Sequence, residues 1–456
     1  MRDQTRRDVL RLFAGAAGAA LVPAGWAFSQ DDTLPKPKDK GYRKPSTPVT
    51  AVIMGYGGRG GYYGWMEGQM PEDWKIVGVA EPIDYRMEMA ASRHKLGPER
   101  QFQSWDHLLA KPKMADIAVI SMQDAMHYHP ALQALEMGYD LLLEKPIAQS
   151  WKQCEDIMKR AEKLGRTVAI CHVLRYAPYF VQLQEVIRSG MIGEVVSIQH
   201  MEPVYHLHFS HSYVRGPWHN EKDSNPSLLA KSCHDLDLIR WFTGVPCNRV
   251  SSFGGVRAFT ERNAPKGAPK HCSDGCPVGD TCLYNADGVY VTKKLWDTHH
   301  IVTRDRSDEG IRKAMKGTQY DACVYRHRND VCDHQTVMME FEGGITANFN
   351  MEAMTSYGGR RTRIMGTLGD IVGDERYLDV YEFQKQKATR WDVEKFAANL
   401  GGHGGGDQRM VLDLTQAVSR RDPSLLVTTL DQAMESHRIG FRAEESRRKG
   451  GQVMKL

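Results

Sequence analysis

Apolar and polar positions alternate along the first half of this chain on two different periods. Short β-type apolar runs at Val49–Met54, Trp74–Ala80, 116–121, 139–143 and 167–171 are separated by stretches with helical spacing, such as Met87, Ala90 and Ala91, residues 129–137, and residues 154–165. Strand, helix and strand again at this spacing specify a parallel sheet with right-handed crossovers. A ligand of such a sheet lies at the carboxyl ends of its strands. Beyond residue 190 the pattern changes. Runs at 194–201, 335–341, 345–350, 362–365, Gly369–Gly373 and 378–383 are joined by turns such as Glu342-Gly343-Gly344, which suits antiparallel strands. Helical periodicity at 175–189, around Met410, Leu412, Leu414 and Val418, and at 430–449 supplies covering helices. The predicted fold is α/β: an N-terminal doubly wound parallel sheet, then an α+β domain with an open, mostly antiparallel sheet, the last helix packing back on the first domain.

Composition narrows the partners. A chain of 456 residues has room for two large domains or about three ordinary ones. Its 41% hydrophobic and 25% charged residues exclude wholesale disorder and a multi-span membrane protein. Of the net charge of +4, the first thirty residues supply +2 (four Arg against two Asp), so the body carries no excess suited to nucleic acid.

The first strand leads directly into Gly55-Tyr56-Gly57-Gly58-Arg59-Gly60, a GxGxxG pattern. Its glycines allow a tight turn, close approach of backbone to a pyrophosphate and close packing of the next helix, whose N-terminal N–H groups face the phosphates. Glu81, at the end of the second strand about twenty residues on, is placed to accept ribose hydroxyls and disfavours a 2′-phosphate. These features predict NAD, with NADP admissible if Arg59 or Arg86 pairs with a phosphate. The loops after the strands at 116–121 and 139–143 bring Ser121, Asp124, His127, Glu144 and Lys145 to the same crevice.

The histidines cluster. His206, His208, His211 and His219 alternate with Tyr205, Phe209, Tyr213 and Trp218; with Arg215 they form a natural sugar-binding surface, ring faces on C–H patches and polar groups on hydroxyls. In the Gly-rich stretch 401–407, His403 or Asp407 can reach the substrate cleft, or Asp407 can serve as a helix N-cap. Nine cysteines are too few for a disulfide scaffold. Four of them, Cys272, Cys276, Cys282 and Cys323, fall in or near a Gly/Pro/Asp-rich insertion at about 262–330, where they suit Zn²⁺, an iron-sulfur cluster, two disulfides or free thiols. Cys233, next to His234, is a candidate for reactivity.

The N-terminus, Thr5-Arg6-Arg7-Asp8-Val9-Leu10-Arg11 followed by apolar residues 12–26 and Ala27-Phe28-Ser29, resembles a twin-arginine export signal. Its apolar run is shorter than the ~20 residues of a membrane span. That resemblance implies a periplasmic or otherwise exported protein folded around its cofactor before export, with a signal at 1–29 and an extended tether at 30–47.

GYGGRG, the loop ending in His127, Glu144-Lys145-Pro146, Cys171-His172-Val173-Leu174-Arg175-Tyr176, Ile192-Gly193-Glu194 and Cys233-His234-Asp235-Leu236-Asp237-Leu238 occur in that order. Together they resemble the Gfo/Idh/MocA family of NAD(P)-dependent sugar oxidoreductases. The resemblance implies an NAD(P)-binding domain at 48–172 and a substrate-binding and oligomerisation domain at 173–456. It implies that Lys145 orients substrate and nicotinamide ribose, that His234 is the acid/base, and that Arg175, Tyr176 and Asp237 line the substrate site. Many members carry an Asp one turn before the His; here Ala230 stands there, followed by Lys231. Asp235 or Asp237 is then the substitute partner for His234, or Lys231 becomes a second catalytic cation. The expected activity is hydride transfer at a hydroxyl or carbonyl of a sugar or glycoside, in a homo-oligomer with tightly held cofactor. Exported relatives such as glucose-fructose oxidoreductase suggest that the tether crosses the adenine side or a neighbouring subunit. The alternative activity is an NAD-dependent glycosidase, resembling glycoside hydrolase family 109, acting by oxidation, elimination and re-reduction.

Overall fold

The computed structural model describes residues 28–30, 34–37, 41–297, 302–327, 329–396 and 402–456. All but the last two residues of the export signal expected at 1–29 lie outside them. A short strand, β1 (Phe28–Gln30), precedes the first sheet, made of β2 (Val49–Met54), β3 (Trp74–Ala80), β4 (Gln101–Phe102), β5 (Ile117–Ile120), β6 (Asp140–Leu143) and β7 (Val168–Ile170). These six run β4-β3-β2-β5-β6-β7 in space, all parallel. The winding therefore reverses between β2 and β5, and the crevice opens there.

Both faces of this sheet are covered, which is why its strands are near-continuous apolar runs. Ile53 faces Tyr63 and Met66 of the Gly58–Met66 helix, together with Met410, Val411 and Leu414. Val52 and Met54 face Ala131, Leu135 and Ile157, together with Ala433 and Met434. The helices Gly406–Arg420 and Leu430–Arg448 thus return from the end of the chain to close the first layer. The last helix also enters the second core through Ile439 and Ala443, so it joins the two domains.

The second sheet comprises β8 (Val195–Pro203), β9 (Cys247–Gly255), β10 (His334–Phe341), β11 (Thr346–Glu352), β12 (Arg361–Gly366), β13 (Gly369–Gly373), β14 (Tyr377–Glu382), β15 (Lys387–Asp392) and β16 (Met454–Lys455). The order is β1-β15-β14-β13-β12-β8-β11-β10-β9-β16, parallel at β1/β15 and β8/β11 and antiparallel elsewhere. The chain is thus a parallel doubly wound domain followed by a mostly antiparallel α+β domain. No helix among the described residues is long and apolar enough to cross a membrane.

The described part of the tether runs away from the crevice. The Tyr42 hydroxyl bonds Asp73, Lys44 pairs with Glu72 at 2.6 Å, and the Arg43 N–H donates to Gln416 at 3.2 Å. Asp73 precedes β3, at the amino edge of the sheet. Leu34 is buried in the second core, and Gln182 donates to the Pro35 carbonyl at 2.8 Å. Residues 42–44 are thus tied near the amino edge of the first sheet, away from the adenine side, and residues 34 and 35 to the second domain.

Candidate functional site

The glycine turn builds the cradle. Gly55 has φ +89°, where a side chain would also strike Met122, and a Cβ on Gly60 would stand 1.9 Å from the Gly55 carbonyl. Only glycine lets helix and strand approach this closely. Gly57, the N-cap of the Gly58–Met66 helix, carries no side-chain cap. A Cβ there would meet nothing nearer than Arg86 at 3.7 Å, and one on Gly58 nothing at all. The first-turn N–H groups of the helix thus border open space, a fit for a pyrophosphate. Glu81 is buried, accepting from the Tyr56 N–H at 2.7 Å and the Ile83 N–H at 3.0 Å.

Several side chains expected at the cofactor instead brace this turn. Tyr56 is buried with its hydroxyl 2.7 Å from His94 Nε2. The Ser121 hydroxyl donates to the Gly55 carbonyl at 2.8 Å. Arg59 turns inward to Glu144 at 2.5 Å and Asp407 at 2.6 Å, so its guanidinium is not available to a 2′-phosphate. Burial pushes the Glu144 carboxyl up, but Arg59 and Lys145 outweigh it and hold it below its usual range. His127 Nδ1 lies 2.8 Å from the Pro146 carbonyl, fixing the loop beyond Lys145. Asp124 accepts from Trp218 Nε1 at 3.0 Å, the Ser224 hydroxyl at 2.9 Å and Asn225 at 3.3 Å; it is a strut between the domains, and Trp218 is held by it.

Lys145 and His234 meet at the crevice. Lys145 Nζ donates to the Ala230 carbonyl at 2.7 Å, one turn before His234, so the position without the expected carboxylate holds the lysine through its backbone. His234 is buried, and its Nδ1 has no hydrogen-bond partner. Burial, then the positive charge of Lys145, holds its imidazole well below the ordinary value. Neither substitute carboxylate serves it. Asp235 takes Arg360 Nε at 2.6 Å and His200 at 3.0 Å, and Asp237 takes Arg175 in a two-pronged pair at 2.6 and 2.7 Å. Lys231 lies 3.2 Å from Glu202, which also faces Arg360 at 2.9 Å.

Two imidazoles flank His234: buried His172 at 5.6 Å between ring centroids and His403 at 5.9 Å. His403, at φ +47°, is the more exposed, and its Nδ1 lies 2.8 Å from Asp407. Asp407 is not an N-cap: Gly405 is, and the Asp407 carboxylate serves His403 and Arg59.

The other expected sugar ligands are structural. Arg175 is buried against Asp237 and Gln432, and Tyr176 is buried with its hydroxyl 3.2 Å from Thr428. Arg215 is fully buried, donating to the carbonyls of Ala322 at 2.7 Å and Tyr284 at 2.6 Å. His211 lies 3.0 Å from the Tyr290 hydroxyl and stacks on Tyr320, while His208 stacks on Trp296 and His206 packs edge-on to Tyr284. These rings come from the cysteine-containing insertion, so histidine segment and insertion form one aromatic wall. All nine cysteines are free thiols, and among the described residues no group of three or more His, Cys, Asp or Glu has metal-holding geometry. Burial pushes the Cys233 thiol up to about 12, which removes its expected reactivity.

Sequence reasoning missed Glu202, Arg360, His172 and His437 as members of the site's surround. His437 accepts from the Ile147 N–H at 3.0 Å and bonds the Ala433 carbonyl at 2.8 Å, which holds the chain just past Lys145. No local pattern marks them; His172 alone sits in a motif already noted.

Residues 49–172 match the family described as "Oxidoreductase family, NAD-binding Rossmann fold", and residues 180–372 the "GFO/IDH/MocA C-terminal domain". A Bacillus subtilis (strain 168) protein named as an oxidoreductase, YteT, is 24% identical over 337 residues, 70% of this chain and 76% of that protein. The scyllo-inositol 2-dehydrogenase (NAD(+)) of the same organism is 26% identical over 211 residues, 46% of this chain and 58% of its own length. An inositol dehydrogenase homolog from Azotobacter vinelandii, solved with NADH and myo-inositol, has a TM-score of 0.65 at 14% identity, over 91% of this chain and 99% of that one.

Proposed function

This chain belongs to the Gfo/Idh/MocA family of NAD-binding oxidoreductases, and from that premise we propose that it is a sugar or polyol dehydrogenase with Lys145 and His234 at its reacting centre. The observation that carries this reading is the bond from Lys145 Nζ to the Ala230 carbonyl, which brings a lysine of the first domain to the end of the short helix Ser227–Ala230, just before the helix Cys233–Thr243 that presents His234. NAD would be held by the first-turn N–H groups after Gly57 and by Glu81, and supplies the hydride acceptor and donor when bound. Glu81 and the engagement of Arg59 favour NAD over NADP.

His234 is kept neutral by burial and by Lys145, so at pH 7 it is a base for a hydroxyl proton. The Lys145 ammonium stabilises the oxygen as that proton leaves. His403, the more exposed imidazole beside His234, reads the sugar, and Lys231 with Glu202 supplies a second polar edge. The exposed apolar residues Phe253 and Met338 on neighbouring β9 and β10 suit contact with a second copy.

An export signal of the kind that residues 1–29 resemble would carry the enzyme to where free NAD is scarce, and the proposal for that case is a cofactor retained and regenerated in place. The test is to assay the purified, dialysed full chain for bound nucleotide and for absorbance change on adding myo-inositol or a panel of aldoses. Retained nucleotide that is reduced by a polyol or aldose supports the reading. Bound nucleotide that no member of the panel reduces overturns it; oxidation that needs added NAD at every turnover keeps the dehydrogenase and overturns its export and cofactor retention.

A further inference from the structure

Behind His234, three buried nitrogens without partners meet in one place. His234 Nδ1 is buried and unpartnered, whereas Nε2 is not among the buried atoms and is the nitrogen open to the crevice. His172 stands edge-on to it, 5.6 Å between ring centroids and 85° between ring planes. It is 1% exposed, and neither of its nitrogens has a partner. Native folds pair nearly all their buried polar groups, so such a cluster points to a use beyond packing.

The groups around His172 decide how it faces. Its Nδ1 lies 3.9 Å from Asp237 Oδ2, just beyond a direct bond, and Asp237 also holds Arg175 at 2.6 and 2.7 Å. The proton of the neutral ring therefore belongs on Nδ1, toward the carboxylate, which leaves a lone pair on Nε2. On the opposite flank His437 is 5.6 Å away, but both its nitrogens are occupied: Nδ1 by the Ala433 carbonyl and Nε2 by the Ile147 N–H. The facing nitrogen without a partner is His234 Nδ1. His403, 5.9 Å from His234, is held at Nδ1 by Asp407, and its side chain is 40% exposed, so solvent can serve its other nitrogen.

We propose that His172 is a positioning residue for His234: its Nε2 accepts the His234 Nδ1–H while its own Nδ1–H points to Asp237, in place of the carboxylate expected at Ala230. The proposal rests on reading His234 as the acid/base. The contact is longer than a direct bond in this structure; hydrogen bonds of catalytic groups are often long until substrate is bound. Accepting from Nδ1 fixes the tautomer, so that Nε2, at the crevice, keeps the lone pair that takes the hydroxyl proton. When that proton arrives, His234 becomes a cation faced by Lys145, His403 and Arg360, and the acceptor behind it offsets their repulsion. Burial, which outweighs the pull of Asp237, keeps His172 neutral; Arg175, Lys145 and Glu144 also face it.

The experiment compares His172→Phe, which keeps a ring without nitrogens, with His172→Gln, whose amide oxygen can stand where Nε2 does. The first readout needs no turnover: nitrogen NMR of the full chain with labelled histidine, the His234 signals identified by their loss in His234→Gln. Wild type should show the proton of His234 on Nδ1. His172→Phe should show a mixture of tautomers and His172→Gln the wild-type form, with circular dichroism unchanged. The second readout uses whichever polyol or aldose reduces the bound nucleotide. In His172→Phe, kcat should fall roughly tenfold or more, the worth of one hydrogen bond to a charged group, at unchanged KM. The acid limb of its pH profile should move to lower pH, because protonated His234 has lost its acceptor, and His172→Gln should restore both. The wild-type tautomer decides alone if His172→Phe does not fold. A wild-type His234 proton on Nε2, or an Nδ1 tautomer that survives in His172→Phe, overturns the proposal, as does a tautomer shift caused by His403→Gln instead. A panel in which nothing is oxidised defeats the dehydrogenase reading, while the NMR result still judges the bond.

Discussion

The two walls of the cleft are built on opposite principles. On the first-domain wall, the glycine turn, its strand and Glu81 lie within about thirty residues of one another, and their geometry follows from local chain stereochemistry. On the second-domain wall, every charged group reaches across the sequence: His200 to Asp235, Arg360 to Asp235 and Glu202, Arg175 to Asp237. The first wall leaves backbone N–H groups free for a ligand. The second ties most of its charges to one another and leaves His234 without a carboxylate. A charged residue in a family motif is thus equally able to be a ligand or a strut, and burial with a matched partner separates the two.

The largest effect expected from this contrast falls on stability. Arg175→Ala leaves the Asp237 carboxylate buried and unpaired, and should lower unfolding free energy by about 3–5 kcal/mol, read by urea denaturation. A stable Arg175→Ala with a raised KM would return Arg175 to the substrate site and break the comparison. His234→Ala should instead spare stability and reduce turnover roughly 10²-fold, about 3 kcal/mol. If His403→Ala carries that loss and His234→Ala does not, the imidazole held by Asp407 is the acid/base.

Acid sensitivity sharpens the difference between the walls. Burial, then His172, lowers His437 from 6.5 to about 3. The folded state therefore binds fewer protons than the unfolded state between these values, and stability falls as pH drops below about 6.5. By pH 4.5 this single group should cost about 2–3 kcal/mol. His437→Gln should reduce the stability difference between pH 7 and 4.5 by that amount, measured by urea melts at both pH values; an unchanged difference would show that His437 is not the sensor. The smallest effect is expected at the strut between the walls: Trp218→Phe removes one of three donors to Asp124 and should cost ~1 kcal/mol, with cofactor affinity unchanged by calorimetry. Weakened NAD binding in that variant would instead make Asp124 part of the cofactor site.

Much of the fold was legible because it depends on periodicity. Trp74–Ala80 and Gly369–Gly373 have the bounds their apolar runs suggest. β9 and β15 carry no such signal, because the polar sequence CNRVSSFGG and the charged KATRWD show no clean alternation; each forms because neighbouring strands supply its ladder. The helix Gly406–Arg420 was legible as a helix, but its place on the first sheet was not.

The sequence by itself determined what requires only neighbours along the chain: the alternation that makes one sheet parallel and the other antiparallel, and glycine at the positive φ of Gly55. The tertiary structure decided which polar groups are free. Arg59 looked like a phosphate ligand beside the glycine turn, and it faces Asp407, 348 residues away. The physical reason is that a buried charge must find an opposite charge wherever the chain brings one, and nothing in local propensity encodes that meeting.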